Sequence, residues 1–236
     1  MTRVLVAHDS DQIRQATERV LRQAGYDPVG VRDGRQARDI LFGPEPPEAM
    51  VVDVGLSGEP AYQLVADIRS HDLAVKVVLV ASVYSHTAYK RRPTSLYGAD
   101  DYIEQHHIPD ELVNKLVRLL PGSAKPPDAE ELRGSSVVRR IREAGEERIT
   151  FHFTCAEEDV ARARRVARLI LADALLYNGS AVEEGLKQGD LEQRIAKDLK
   201  AVRELFALRV PPEIAKAEAY IDDALREFIG SRSRQG

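Results

Sequence analysis

The chain has 236 residues, 43% apolar and 31% charged, with a net charge of −4 at neutral pH; this is the composition of a helix-rich globular protein of one or two domains. A single cysteine, Cys155, leaves no pair for an intrachain disulfide and no thiolate metal cluster. No apolar run approaches the roughly 20 residues that cross a bilayer, and 14 Lys+Arg against 17 Asp+Glu in residues 1–120, then 20 against 21 in residues 121–236, give neither half the positive excess that binds a phosphate backbone.

The first half alternates apolar runs with helical spacings. RVLVA reads as a strand. DQIRQATERVLRQAG then carries Ile13, Ala16, Val20 and Leu21 at helical spacing and stops at Gly25. PVGV predicts a second strand and GRQARDILF a second helix, ended by GPEPP. MVVDV is the third strand and AYQLVADIRSH the third helix. KVVLVA predicts the fourth strand. KRRPTSLYG is unusual for a fourth helix, because Pro93 would truncate or kink it. ADDYIE is the fifth strand, and PDELVNKLVRLL the last helix, with Pro109 at its start. Strands alternating with helices imply parallel pairing and right-handed crossovers, hence an α/β, flavodoxin-like, doubly wound sheet of five strands.

PGSAKPPD breaks this pattern with three prolines and a glycine, which opens a linker over 121–153. Thr154 and Glu157 have capping-box spacing before a long helix to about Asn178. Its seam is Val160, Ala163, Ala167, Ile170, Ala174 and Tyr177, and Asn178-Gly179 predicts its stop. Ser180 with Glu183, and Asp190 with Gln193, are further capping signals. A helix over 191–209 places Leu191, Ile195, Leu199, Val202 and Phe206 on one face. After Pro211-Pro212 a final helix presents Ile214, Tyr220, Ile221, Leu225 and Phe228, and residues 231–236 read as a frayed tail. Residues 154–230 thus form an all-α domain whose amphipathic stripes must bury against each other or a second copy. About 75 residues make a thin core, so a homodimer is expected. No clustered acid, base or nucleophile marks the second half as an enzyme.

The carboxyl ends of parallel strands share one edge, where ligands bind. His8, Asp9, Asp53, Ser82 and Gln105 therefore converge on one site although they lie far apart in sequence. Asp53 follows the third strand and precedes VGLSGEPA, and GADDYIE runs into the fifth strand. On these segments, residues 1–120 resemble the receiver domain of two-component response regulators. The resemblance implies that Asp53 is the phosphoacceptor and that Mg²⁺ is held by Asp9, Asp53 and the backbone carbonyl of Gly55. Ser82 would be the switch hydroxyl and Tyr102 the switch aromatic. It also implies a sensor histidine kinase as phosphodonor, with a downstream protein target, in a cytoplasmic protein. The opening MTRVLVAHD, which lacks a secretion-signal pattern, agrees with that location.

Two residues depart from the family pattern. His8 stands where the first of two acidic residues is expected, which weakens a Mg²⁺ site while relieving carboxylate repulsion. Gln105 stands in place of the lysine, and a neutral rather than charged hydrogen bond there gives up about 1–2 kcal/mol. If that bond drives the switch, the population ratio falls roughly 5- to 30-fold. His106 follows in place of proline. The family's cis bond there would cost a non-prolyl residue about 2.5–4 kcal/mol, so the loop should be rebuilt.

The expected function is an atypical response regulator in a phosphorelay, signalling through protein contacts of its C-terminal helices. The alternatives are a pseudo-receiver scaffold that ignores phosphorylation and, against the charge balance, a DNA-binding regulator. His8, His106 and His107 admit a softer metal or plain packing. Lys90, Arg91 and Arg92 beside Tyr97 read as a docking site or a solvated basic turn. Arg162, Arg164, Arg165 and Arg168 read as the wet face of a helix, with Asp159 paired to Arg162, and Cys155 as a small buried residue.

Overall fold

Five strands, β1 (Arg3–Ala7), β2 (Asp27–Val31), β3 (Ala49–Asp53), β4 (Lys76–Ala81) and β5 (Asp101–Glu104), pair in parallel in the order β2-β1-β3-β4-β5. This is the flavodoxin-like order, whose switch point lies between β1 and β3. The structure, a computed structural model, describes residues 1–81, 93, 95–122, 157–215 and 219–233. They fall into two units: Met1–Ser82 with Gly98–Ile149, and Val83–Tyr97 with Thr150–Gly236.

In the sheet unit, β3 is buried at every residue, which explains why its run is continuously apolar rather than alternating. Helices α1 (Asp11–Gln23), α2 (Gly34–Leu41), α3 (Ala61–Ser70) and α4 (Ile108–Leu119) cover the sheet. The spacing predicted for α1 holds: Ile13, Ala16, Val20 and Leu21 are buried. They share a core with Val4, Val6, Val51, Val78, Val80 and Ile103 of the strands and with Leu112 and Leu116 of α4. The rebuilt loop is a 3-10 turn, Gln105–His107, that runs into α4 with Pro109 in its first turn. No cis peptide bond occurs among the described residues.

The helical unit contains α5 (Glu157–Tyr177), α6 (Gly179–Gln188), α7 (Leu191–Arg194), α8 (Ala196–Arg209), α9 (Pro212–Ala215) and α10 (Tyr220–Ser233). Its core is the predicted one: Ala163, Ala167, Ile170, Leu191, Ile195, Leu199, Val202, Phe206, Tyr220, Ile221, Leu225 and Phe228 are all buried. Several boundaries differ. Asn178-Gly179 does stop α5, the Asn178 side-chain amide donating to Ala174 O at 2.9 Å. The next helix begins at once, however, with Val182 N donating to Asn178 O, so Ser180 lies inside α6 rather than capping it. The single helix expected over 191–209 breaks at Ile195. Asp190 does precede α7, but its carboxylate takes Arg194 Nε at 2.7 Å instead of capping an amide. The helical path continues to Ser233, past the residue where fraying was expected. Ile214 is only partly buried. Of the four arginines on α5, Arg164 is exposed while Arg162, Arg165 and Arg168 are partly covered; Arg162 Nη1 meets the buried Asp159 at 3.2 Å.

One assignment changes units. Residues 83–97 were expected inside the sheet unit as its fourth crossover, but the described end of that segment, Ser95 to Tyr97, groups with the helices. The reason is Tyr97, which is 3% exposed. Its hydroxyl donates to Leu175 O at 2.7 Å and its ring meets Phe228 edge-on, with centroids 5.9 Å apart. Leu175 is in the last turn of α5, where carbonyls lack intrahelical partners. Ser95 approaches α6 so closely that a Cβ on Gly179 would lie 2.6 Å from Ser95 N, and its hydroxyl donates to Glu183. The basic run Lys90–Arg92, Thr154 and Cys155 lie outside the described residues, as does all but the start of the expected linker.

Candidate functional site

Register brings the site to one rim. Ala7 pairs with Val52, Asp53 with Val80, Val80 with Ile103, and Ala81 with Glu104. His8 and Asp9 just beyond β1, Asp53 at the end of β3 and Gln105 just beyond β5 therefore share the carboxyl edge of the sheet. Ser82, the expected switch hydroxyl, follows β4 at the same edge in sequence and lies outside the described residues.

Asp53 is 1% exposed. Its Oδ1 accepts from Gly55 N at 3.3 Å, and Leu56 N donates to its carbonyl at 3.1 Å, so the backbone folds tightly around it. Asp9, partly exposed, reaches the same loop: its Oδ1 accepts from Ser57 N at 3.0 Å. The loop is held from its far side as well. Gly34 N donates to Ser57 O at 2.8 Å, an approach so close that a Cβ on Gly34 would lie 1.9 Å from Glu59 O. Arg38 forks onto Glu59, with Nε to Oε2 at 2.6 Å, and also binds Asp67. These two carboxylates hold the guanidinium pKa above its ordinary value. The loop carrying Gly55 is thus preorganised by α2 and α3.

His8 is buried beside Asp53. Its Nδ1 accepts from Ser10 N at 2.9 Å, which leaves Nε2 to carry the proton in the neutral ring. Nε2 lies 3.8 Å from Asp53 Oδ2, beyond hydrogen-bond reach. The buried Arg14 reaches His8 O at 3.0 Å from α1. Two carboxylates and a backbone carbonyl are hard oxygen donors of the kind Mg²⁺ takes. Asp9, Asp53 and Gly55 fit that ion, with one negative charge fewer than a second carboxylate at position 8 would give.

Gln105 is 8% exposed, turned inward from the 3-10 turn. Tyr102 is half-buried, and Lys115 Nζ lies 5.5 Å from its ring centroid while bonding Asp101 at 2.9 Å. The histidines divide differently from the sequence-based grouping: His8 goes with Asp53, and His106 and His107 go with Glu104. Glu104 was not singled out in the sequence; the signal was present as Glu-x-His-His. Tyr97's part in the helical unit had no local signal, since its partner Leu175 lies 78 residues away.

Comparison with known proteins identifies the family of the sheet unit. The family model of the response regulator receiver domain matches residues 4–117. The response regulator MprA of Mycobacterium bovis is 30% identical over 177 residues, covering 70% of this chain and 74% of that one. The transcriptional regulatory protein GltR of Pseudomonas aeruginosa is 32% identical over 118 residues, 50% of this chain and 48% of its own. Among solved structures, the response regulator TrrA of Thermotoga maritima, in complex with Mg²⁺ and BeF, aligns with 26% identity and a TM-score of 0.43, over 51% of this chain and all of the other.

Proposed function

Because this chain belongs to the response-regulator family of two-component signalling, we propose that it accepts a phosphoryl group on Asp53 from a sensor histidine kinase and signals through its C-terminal helices. The Asp53 carboxylate attacks the phosphorus of the donor phosphohistidine; an O–P bond forms as the N–P bond breaks, and the donor imidazole departs. Asp9, Asp53 and the Gly55 carbonyl are the residues that would hold Mg²⁺, which when bound neutralises charge on the transferring oxygens. The Gln105 side chain and His8 Nε2–H are the neutral donors assigned to those oxygens. Ser82 is assigned the hydroxyl that follows the phosphoryl group.

The observation that carries the output half of this reading is the burial of Tyr97 in the helical unit, one residue before the sheet unit resumes at Gly98. Ser82 and Tyr97 belong to one covalent connection, so a displacement of Ser82 would be passed toward α5 and α10, whose exposed faces would meet a downstream protein or a second copy. Incubating the full chain with acetyl phosphate and Mg²⁺ and measuring intact mass tests the reading. One added phosphoryl group, absent in Asp53→Asn, is expected; equal masses in the two proteins would end it.

A second reading, a scaffold that binds partners regardless of phosphorylation, is favoured by the neutral imidazole beside Asp53 and the amide at 105. It predicts identical complexes with and without the phosphodonor.

A further inference from the structure

We propose that Glu104, His106 and His107 form a binding site for a divalent transition ion of the zinc class, separate from the carboxylate rim around Asp53. The site goes beyond the phosphoacceptor reading and does not depend on it. One ligand atom from each of the three residues falls in a cluster within 4.8 Å. Glu104 Oε2 and His106 Nε2 are already 3.4 Å apart, the spacing of neighbouring ligands around an ion bound at about 2.1 Å in tetrahedral geometry. The two imidazoles lie with centroids 4.0 Å apart. A second carboxylate is at hand from the next turn of the chain, Glu111 Oε1 being 3.7 Å from His107 Nδ1.

The histidine side chains are 47% and 43% exposed, so small rotations can close the remaining distance without disturbing the core. The backbone beneath them is fixed, by the β4–β5 pairing at Glu104 and by α4 starting at Ile108. Two imidazoles with a carboxylate select zinc, nickel or copper over magnesium, which prefers oxygen alone. Gln105 lies between the ligands in sequence and faces the opposite way, into the protein. A bound ion would brace the turn that carries Gln105.

The test is calorimetric titration of Zn²⁺ into the full chain carrying no histidine tag, with Co²⁺ absorption reporting nitrogen ligation. With excess Mg²⁺ present to fill the carboxylate rim, one saturable Zn²⁺ site per chain is expected, weakened roughly 10- to 100-fold by His106→Ala or His107→Ala and more mildly by Glu104→Gln, as loss of a ligand or its support does elsewhere. Circular dichroism checks that each variant is folded, and His106→Gln supplies a variant of closer size. Asp53→Asn should bind Zn²⁺ like the natural chain. Absence of saturable binding, unchanged affinity in the folded histidine variants, or loss of binding in Asp53→Asn would each overturn the proposal.

Discussion

At Asp53 the decisive neighbour is His8. A carboxylate at position 8 would add a negative charge beside a buried acid, drawing a cation in while making each carboxylate costlier to ionise. The imidazole, with its proton on Nε2 and 3.8 Å from Asp53, relieves that repulsion and gives up part of the attraction for Mg²⁺. His8→Asp should therefore tighten Mg²⁺ by about 10-fold, or about 1.4 kcal/mol, read by titration with a spectroscopic or calorimetric signal; unchanged affinity would mean that Asp9 and Asp53 already saturate the ion's needs. Gln105 makes the complementary trade on the phosphoryl side. Gln105→Lys should raise the response to beryllofluoride, measured as the shift in amide exchange on ligand addition, by roughly 5- to 30-fold in population ratio. Both substitutions act on sites that were legible in the sequence, because strand ends and their register follow from local apolar runs. The meeting of His8 with Asp53 was legible as well; the orientation of the ring, with Nδ1 taken by Ser10 N so that Nε2 faces Asp53, was not.

Among the elements, the segment before β5 is the one whose role changed most between sequence and structure. Pro93 and the basic run gave a poor helix, and the local pattern offered no alternative partner. Tyr97 finds one in Leu175 O and Phe228, and takes a left-handed backbone conformation, φ 52°, to do so. Tyr97→Phe should cost about 1 kcal/mol, the value of one such hydrogen bond, and Tyr97→Ala about 3–5 kcal/mol from lost burial and packing; denaturant unfolding of the full chain measures both. Gly179→Ala should destabilise α6 by about 1–3 kcal/mol, because the new methyl meets the Cβ and backbone N of Ser95, which no side-chain rotation can move away. A stable Gly179→Ala protein would show that Ser95 can retreat and that the anchor is loose. The broken helix at Ile195 teaches the same lesson in a milder form. Its apolar positions were read correctly, while the break follows from Arg194 binding Asp190, Glu184 and Gln188 together.

For the molecule as a whole, the helical unit has its own core, with α5 packed along α8 and α10. Among the described residues no helix is long and apolar enough to cross a membrane. The unit is small and leaves Leu208 82% exposed, and a second copy is the proposed way to complete its core; sedimentation should give twice the chain mass of 26.3 kDa, and a monomer at all concentrations would refute that. The sequence by itself determined the two-part plan, the five parallel strands and the acidic rim, since periodicity, strand ends and covalent order are local properties of the chain. Only the tertiary structure decided that Tyr97 belongs with the helices, that His8 faces Asp53 and that Glu104 joins the paired histidines. Each of these depends on which distant surfaces bury one another, a choice that no local window of residues contains.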